Sequence, residues 1–296
     1  MILFKGAATA LVTPFSEGQV DYDSLENLIE WQINEGIDAL VSCGTTGEAS
    51  TLSDEEQKSV VKFTVEKVGG RVPVIAGAGS NDTAHASELS KALADEGADG
   101  LLIVTPYYNK CSDSGLIKHF ETIADAVDIP LIAYSVPGRT GVNISPAVVS
   151  EISKHPNICG IKEASGNIAQ VVEISRYISD DFAMYSGNDE STVPLMSMGG
   201  LGVITTTGNI IPKDMQRMTN AYLNGDVEEA RRMQIEMKHL IDAMFCEVNP
   251  IPIKAALNIM GKIKREYRLP LCDPDNKSLY KIMCALREYG VIDESI

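Results

Sequence analysis

The chain has 296 residues, of which 44% are hydrophobic and 22% are charged, a composition typical of globular proteins. Its formal net charge of −16 argues against binding to a nucleic-acid backbone, because an acidic surface repels phosphate groups. Net acidity does not exclude a small anionic substrate, since a few cations and backbone dipoles can dominate the field inside a pocket.

Cysteine and histidine usage argues against disulfides and metal sites. The six cysteines are widely spaced with no CxxC pair, and the four histidines form no metal-ligand cluster. We therefore expect free thiols in a reducing cytosol. No apolar run approaches the roughly 18 residues of a membrane span, and residues 1–6 are too short for the apolar core of a signal peptide. These features predict a cytoplasmic protein.

Short apolar runs that alternate with helical patterns dominate the first three quarters of the chain. They are near-continuous runs rather than alternating ones, as expected for parallel strands covered on both faces. The predicted strands are 7–12, 39–43, 72–76, 100–104, 131–134, 158–161, 183–185 and 201–204.

Amphipathic helices fill the gaps between these strands. They are predicted over 22–35, 54–68, 82–96, 114–126, 146–154 and 168–178, with a short piece at 191–198. Ser53 and Glu56 have the spacing of a capping box that opens the second helix. Eight βα units of this kind predict a (β/α)8 TIM barrel. A doubly wound sheet is the alternative, but no GxGxxG follows an early strand.

Beyond the eighth strand the pattern becomes helical throughout. Helices are predicted over 214–223, 227–245, 253–264 and 277–289. The first of them can complete the barrel. We therefore expect a barrel over residues 1–225 that carries the active site, and a C-terminal helical subdomain over residues 226–296.

Lys162 stands out because it follows the apolar run 158–161, at the carboxyl end of the sixth predicted strand. In a TIM barrel the catalytic groups lie at the carboxyl ends of the strands. One interpretation is a strand-end lysine whose amine reaches out to water. The other is a desolvated amine that attacks a carbonyl to form a Schiff base.

Polar residues at the other strand ends suit such an amine. Thr45 and Thr46 lie between two glycines after strand two, where hydroxyls and backbone amides can converge on a small anion. Tyr134 ends strand five and can move protons during imine formation. Arg139 follows it and can hold a carboxylate in a bidentate fork. No carboxylate–histidine pair or phosphate-loop signature competes as the catalytic centre.

Five sequence motifs together resemble one family. They are GTTGE at 44–48, TPYYN at 105–109, Y-x-V-P-x-R-T-G at 134–141, G-I-K-E-A at 160–164 and SGND at 186–189. The set resembles the pyruvate-dependent class I aldolase superfamily and, within it, the dihydrodipicolinate synthase family. The likeness runs nearly end to end and includes N-P-I-P-I-K at 249–254.

The resemblance implies a role for each matching residue. Lys162 would form an imine with pyruvate, and Tyr134 would donate and accept the protons, with Thr45 and Tyr108 completing its relay. Thr46, Gly187 and Ile204 would contact pyruvate. Arg139 would grip the carboxylate of L-aspartate 4-semialdehyde. The product would be 4-hydroxy-tetrahydrodipicolinate, on the diaminopimelate route to lysine, made with no cofactor beyond the pyruvate bound covalently to Lys162.

The resemblance also implies a homo-oligomer. Tyr108 would reach the site of a neighbouring subunit, so the active unit would be at least a tight dimer, and family members are usually tetramers. Neither nucleic acid nor a membrane is expected as a partner.

Two other functions stay open at this point. N-acetylneuraminate lyases resemble the chain in the lysine, the tyrosine and the turn at residues 44–48, which we call the pyruvate turn. A sugar-acid lyase would share the imine. Those lyases usually have Ser-Thr in place of Thr45-Thr46 and lack an arginine matching Arg139, so these residues favour the synthase. A barrel that binds a keto acid or a partner without catalysis is the third possibility.

Three further expectations concern residues outside this set. Asn81 and Tyr107 match the lysine-inhibition site of feedback-inhibited relatives. However, Asp54, Gln57 and His85 replace histidine, histidine and glutamate there, so we expect weak or absent inhibition by lysine. Ser135, where many relatives have asparagine, should matter little. Lys254 is expected to be a packing or snorkelling lysine, away from every strand end.

Overall fold

The computed structural model describes residues 2–293, so Met1 and residues 294–296, the ends of the two predicted domains, lie outside the described residues. The strands are β1 (Gly6–Ala10), β2 (Phe15–Ser16), β3 (Gln19–Val20), β4 (Ala39–Ser42), β5 (Val74–Gly77), β6 (Gly100–Val104), β7 (Leu131–Ser135), β8 (Ile158–Glu163), β9 (Ala183–Ser186) and β10 (Gly202–Thr205).

The helices of the described residues are α1 (Tyr22–Asn34), α2 (Asp54–Val68), α3 (Thr83–Asp95), α4 (Asp113–Asp125), α5 (Pro137–Thr140), α6 (Pro146–Ile152), α7 (Ile168–Ile174), α8 (Thr192–Met196), α9 (Pro212–Leu223), α10 (Val227–Met244), α11 (Ile251–Ile259) and α12 (Asn276–Tyr289).

Eight parallel strands close into one barrel in the order β1-β10-β9-β8-β7-β6-β5-β4. β1 closes the ring because it pairs with β10 on one side, Gly6 opposite Gly202, and with β4 on the other, Ala8 opposite Ala39. The predicted (β/α)8 barrel is therefore confirmed. The predicted strand bounds fall within two residues of the observed ones.

Three local features differ from the sequence-based expectations. The β2–β3 hairpin was not predicted, because two-residue strands are too short to show a period. The single-turn helix α5, which carries Arg139, was missed for the same reason. The predicted helix 253–264 ends earlier, at Ile259, and Gly261 follows with φ +71°.

The hydrophobic core has two layers. One lies between the barrel and its helices, and the other fills the inside of the barrel. Inside the barrel, Phe4 stacks on Tyr185 with ring centroids 4.3 Å apart, and the Tyr185 hydroxyl donates to the Phe4 carbonyl at 2.7 Å. Because Phe4 precedes β1, this pair closes the amino-terminal side and leaves the carboxyl ends of the strands for a cavity.

The C-terminal helices cover one side of the barrel. α9 packs on β1, α10 packs on α9, and α12 packs on both α10 and α11. The division of the chain at residues 225 and 226 remains a prediction. Within residues 2–293, none of the helices combines the length and the apolar character needed to cross a bilayer.

The closing strand pair generates a prediction about Gly202. Its φ is +150°, and a Cβ placed on it would lie 1.7 Å from the Gly6 carbonyl oxygen. We expect Gly202→Ala to lower the free energy of unfolding by more than about 4 kcal/mol, because the clash is with backbone that cannot move aside. Denaturant unfolding of the purified variant measures this.

Gly225→Ala is the matched control. Gly225 also has a positive φ, +89°, but among the described residues no atom beyond its chain neighbours lies within 4 Å of the position that its Cβ would take. The Gly225→Ala variant should lose only about 1–2 kcal/mol of stability, because the alanine introduces backbone strain and no clash. Equal losses in the two variants would contradict the argument.

Candidate active site

A cavity of 190 Å³ opens at the carboxyl ends of the barrel strands. Six of the eight predicted site residues line it: Thr45, Thr46, Tyr134, Arg139, Lys162 and Gly187. They come from four different strand ends, which the closure of the barrel brings to one place. A larger cavity of 490 Å³ adjoins it and shares Thr45, Tyr134 and Arg139.

Lys162 lies inside β8, directly opposite Tyr134 of β7 in the strand register. The predicted strand ended one residue before it, whereas the observed strand continues to Glu163. Only 6% of Lys162 is exposed, and its Nζ lies 4.3 Å from the centroid of the Tyr134 ring. None of the described carboxylates forms an ion pair with it. A lysine reaching out to water does not fit this burial, whereas an amine held for attack on a carbonyl does.

Gly187 leaves the space that the Lys162 side chain occupies. A Cβ at Gly187 would lie 3.1 Å from Lys162 Cε and 2.6 Å from Ala164 Cβ. Any larger residue would therefore push the lysine stem or the end of β8. The glycine of the SGND motif is required by this close approach.

The turn 44–48 is held from several sides. Its own backbone closes with Gly47 donating to the Gly44 carbonyl at 3.1 Å, and Thr13 donates its hydroxyl to the Gly47 carbonyl at 2.7 Å. Thr46 Oγ1 accepts from Asn249 Nδ2 at 3.0 Å and lies 3.4 Å from Thr206 Oγ1. These contacts fix the Thr46 hydroxyl in the cavity wall.

Arg139 lies on α5 at the mouth of the cavity and is exposed. One of its guanidinium nitrogens, Nη2, donates to the Asn249 carbonyl at 2.9 Å. Among the described residues this is its one hydrogen bond, so its remaining N–H donors are available to a ligand. The position suits capture of a carboxylate that enters the cavity.

Two predicted residues are not brought to this cavity. Tyr108 is 93% exposed and has φ +69°, an uncommon conformation for a bulky residue. Ile204 lies in β10, fully buried inside the barrel, and does not line the cavity. A single copy of the chain therefore brings six of the eight predicted site residues to the cavity, and Tyr108 and Ile204 are the two that it does not.

Asp189 was overlooked at the sequence level although it belongs to the SGND motif. Its carboxylate is buried, and Oδ2 accepts from the backbone amides of Thr206 and Thr207 at 3.1 and 2.7 Å. Burial raises the pKa of Asp189, and the hydrogen bonds from Thr207 and the charge of Lys162 oppose this rise. The carboxylate holds the chain that follows β10 against the site.

Asn249 and Phe245 also line the cavity and were not predicted as site residues. The resemblance of the 249–254 segment was the only signal for Asn249, because no local pattern links it to Thr46, which is 203 positions away along the chain. Phe245 precedes that segment and had no signal of this kind.

The expectation for Lys254 was wrong in one respect. Its side chain is fully buried, as packing would require, but it is not remote from the strand ends. Its Nζ lies 2.5 Å from Oε1 of Glu48, the last residue of the turn after β4. A buried lysine needs a partner, and periodicity alone could not supply one from the other end of the chain.

A buried amine without a carboxylate, next to a tyrosine and a hydroxyl-bearing turn in a TIM barrel, defines a lyase of the class I aldolase type. The model of the dihydrodipicolinate synthetase family matches residues 3–289, and the chain belongs to this family. The family membership predicted from the sequence is thereby confirmed.

Individual relatives agree with this assignment. The 4-hydroxy-tetrahydrodipicolinate synthase of Thermoanaerobacter pseudethanolicus is 54% identical over 296 residues, 100% of both chains. That of Acetivibrio thermocellus is 52% identical over 290 residues, 98% of this chain and 99% of the relative. The crystal structure of the synthase from Thermotoga maritima has a TM-score of 0.96 at 41% identity, covering 98% of this chain and 100% of that one.

The close approach at Gly187 generates a prediction about Lys162. We expect Gly187→Ala to slow borohydride trapping of pyruvate on Lys162 by up to about 100-fold, because small misplacements of a reacting group have effects of this size. Mass spectrometry of the reduced adduct measures the rate.

Gly138→Ala is the control for that measurement. Gly138 also lies near the cavity mouth, but the space around its own Cβ position is empty to 4 Å. Its trapping rate should equal that of the wild type. A wild-type rate in Gly187→Ala would contradict the packing argument.

Proposed function

We propose that the chain condenses pyruvate with L-aspartate 4-semialdehyde through an imine on Lys162 and releases 4-hydroxy-tetrahydrodipicolinate, on the diaminopimelate route to lysine. The relatives described above are named for this synthase activity. The observation that carries the proposal is the buried amine of Lys162, free of any described carboxylate and facing a cavity shared with Tyr134, Thr45 and Arg139.

The first half of the reaction uses the Lys162 amine. It attacks the keto carbon of pyruvate, and the carbinolamine loses water to give the imine. Loss of a proton from the methyl group then gives the enamine. Tyr134, beside the amine, donates and accepts the protons, and Thr45 extends this relay. Thr46 holds the pyruvate carboxylate, Gly187 gives the adduct room, and Ile204 supports the pocket from inside the barrel.

The second half joins the two substrates. The enamine carbon attacks the aldehyde carbon of the semialdehyde, and the new alkoxide takes up a proton. The amino group of the same molecule then attacks the imine carbon, closes the ring and releases Lys162 as a free amine. Arg139 holds the semialdehyde carboxylate at the cavity mouth with its free N–H donors.

We infer that this chemistry needs no metal and no cofactor, because the imine nitrogen itself stabilises the enamine.

We further propose a cytoplasmic homo-oligomer. Tyr108, exposed and held at a positive φ, would complete the relay in a neighbouring copy, so a tight dimer is the smallest active unit. Two such dimers would form a tetramer, although one similar structure is described as a monomeric variant of the enzyme.

Borohydride trapping tests the imine. Reduction in the presence of pyruvate should leave a stable pyruvyl adduct on the peptide that contains Lys162. Lys162→Met should show no adduct, whereas Lys110→Met, which removes an exposed lysine outside the cavity lining, should show it unchanged. No adduct on the wild type, or an adduct on another lysine, would refute the proposal.

The choice of acceptor is tested with Arg139→Ala. We expect kcat/KM for the semialdehyde to fall by about 100-fold, since hydrogen bonds to charged groups contribute about 1.5–3 kcal/mol. Trapping of pyruvate should be unchanged, because Arg139 acts only on the second substrate. A coupled assay measures the first quantity and mass spectrometry the second. Equal losses in both would contradict this role.

We also propose that lysine inhibits this protein weakly or not at all. His85 lies at the edge of the larger cavity, with its Nε2 3.0 Å from Asp54 Oδ2 and its Nδ1 3.2 Å from Ser80 Oγ. His85 and Asp54 therefore contact each other instead of offering free polar groups to a ligand. The structure of a relative from Cyanidioschyzon merolae, 41% identical with a TM-score of 0.95 over 99% of this chain and 100% of that one, is described with lysine bound.

Submillimolar lysine should leave the steady-state rate unchanged. The matched variant carries Asp54→His, Gln57→His and His85→Glu, which supplies a carboxylate for the ligand ammonium, and it should gain inhibition. Strong inhibition of the wild type would show that this expectation is wrong.

A further inference from the structure

We propose that the Lys254–Glu48 ion pair positions the pyruvate turn, so that helix α11 of the C-terminal region is part of the catalytic machinery rather than packing alone. Both residues act through Thr45 and Thr46 and touch no substrate. The inference rests on the proposed function, because the turn matters through the imine that it helps to form.

The ion pair is deeply enclosed. The exposed fractions of the two side chains are 0% for Lys254 and 1% for Glu48, and Nζ and Oε1 are 2.5 Å apart. The ammonium also lies 4.2 Å from the centroid of the Phe15 ring and 5.3 Å from that of Tyr267. An amine in such surroundings would lose its charge without Glu48, which offsets the lowering of the Lys254 pKa by burial.

A second cation, Arg268, lies near the Lys254–Glu48 ion pair. Arg268 lies over the Phe15 ring, with its guanidinium carbon 4.5 Å from the ring centroid. Its side chain pairs with Glu56 at 2.6 Å and donates to the Thr51 carbonyl at 2.9 Å. The charge of Arg268 is therefore neutralised by Glu56, and Lys254 is left as the ion-pair partner of Glu48.

Glu48 controls the geometry of the turn that precedes it. Its backbone has φ +56°, and its amide donates to the Thr45 carbonyl at 3.2 Å. This conformation costs a non-glycine residue about 1–2 kcal/mol, and the buried carboxylate anchor offsets that cost. Moving Glu48 would move the carbonyl of Thr45 and the neighbouring Thr46.

The same C-terminal segment grips the turn at a second point. Asn249 donates to Thr46 Oγ1 at 3.0 Å, and Lys254 lies one helical turn further on, its amide donating to the Pro250 carbonyl at 3.0 Å. Asn249 therefore orients the hydroxyl within the turn, while Lys254 fixes its end. Two contacts from residues 249–254, one to Thr46 and one to Glu48, therefore hold residues 44–48 in place.

Stability alone does not explain a pair of this kind. Replacing a buried ion pair by neutral side chains of similar size is often neutral or stabilising, whereas removing one partner leaves an uncompensated charge. The double variant Lys254→Met with Glu48→Gln therefore separates the two roles. A purely structural pair predicts that this variant regains both stability and activity.

We expect the double variant to unfold at a denaturant concentration close to that of the wild type. Its borohydride trapping rate with pyruvate should nevertheless fall roughly 10- to 100-fold, with a higher KM for pyruvate, because the turn is no longer fixed. Tyr289→Phe is the control. It removes the Tyr289–Asp214 hydrogen bond, elsewhere in the C-terminal region, and should leave the trapping rate unchanged.

Glu48→Gln alone gives an independent measurement, since glutamine keeps an acceptor for Lys254. Its borohydride trapping rate should also fall, but by less than that of the double variant. Wild-type trapping and pyruvate KM in either folded variant would overturn the inference. Absence of an adduct on the wild-type protein would instead refute the imine itself, so the two proposals fail in different experiments.

Discussion

The site depends on one constraint: an amine must be kept out of water without being given a carboxylate to hold its proton. Lys162 meets it, at 6% exposure and facing the ring of Tyr134. The closed barrel buries the side chain, Gly187 leaves room for its stem, and the buried carboxylate of Asp189 accepts from two backbone amides. Lys254 shows the opposite solution, since it is equally buried but paired with Glu48. The surroundings thus suit one of these lysines to the proposed role of nucleophile and the other to that of anchor.

The charge of the protein follows the same local logic. A net charge of −16 would repel the pyruvate anion from the surface as a whole. Inside the cavity, however, Lys162 and Arg139 are the charged side chains that line the wall, with the hydroxyls of Thr45 and Thr46 between them. Nearby charges dominate the electrostatic potential inside a low-dielectric cavity. The pocket can therefore attract an anion that the rest of the surface repels.

Sequence patterns predicted what is local or repeated. Eight apolar runs located every barrel strand, Ser53 and Glu56 did form the predicted capping box, and the strand-end rule placed Lys162 and Tyr134 side by side. Patterns could not predict contacts between distant segments. Glu48 and Lys254 are 206 positions apart, and the helix that carries Arg139 is too short to have a period. Tyr108 was named by the family resemblance alone, because its proposed place in the site belongs to a second copy and no pattern within one chain indicates it.

The distance between Glu48 and Lys254 along the chain also orders events during synthesis. Glu48 and all eight barrel strands leave the ribosome before the helix that carries Lys254. Until that helix docks, the Glu48 carboxylate has no ammonium partner and stays hydrated, since burying it alone is strongly unfavourable. A nascent chain can therefore form its barrel and still lack a finished pyruvate turn. In this order of events, docking of the helix that carries Lys254 is the step that completes the site.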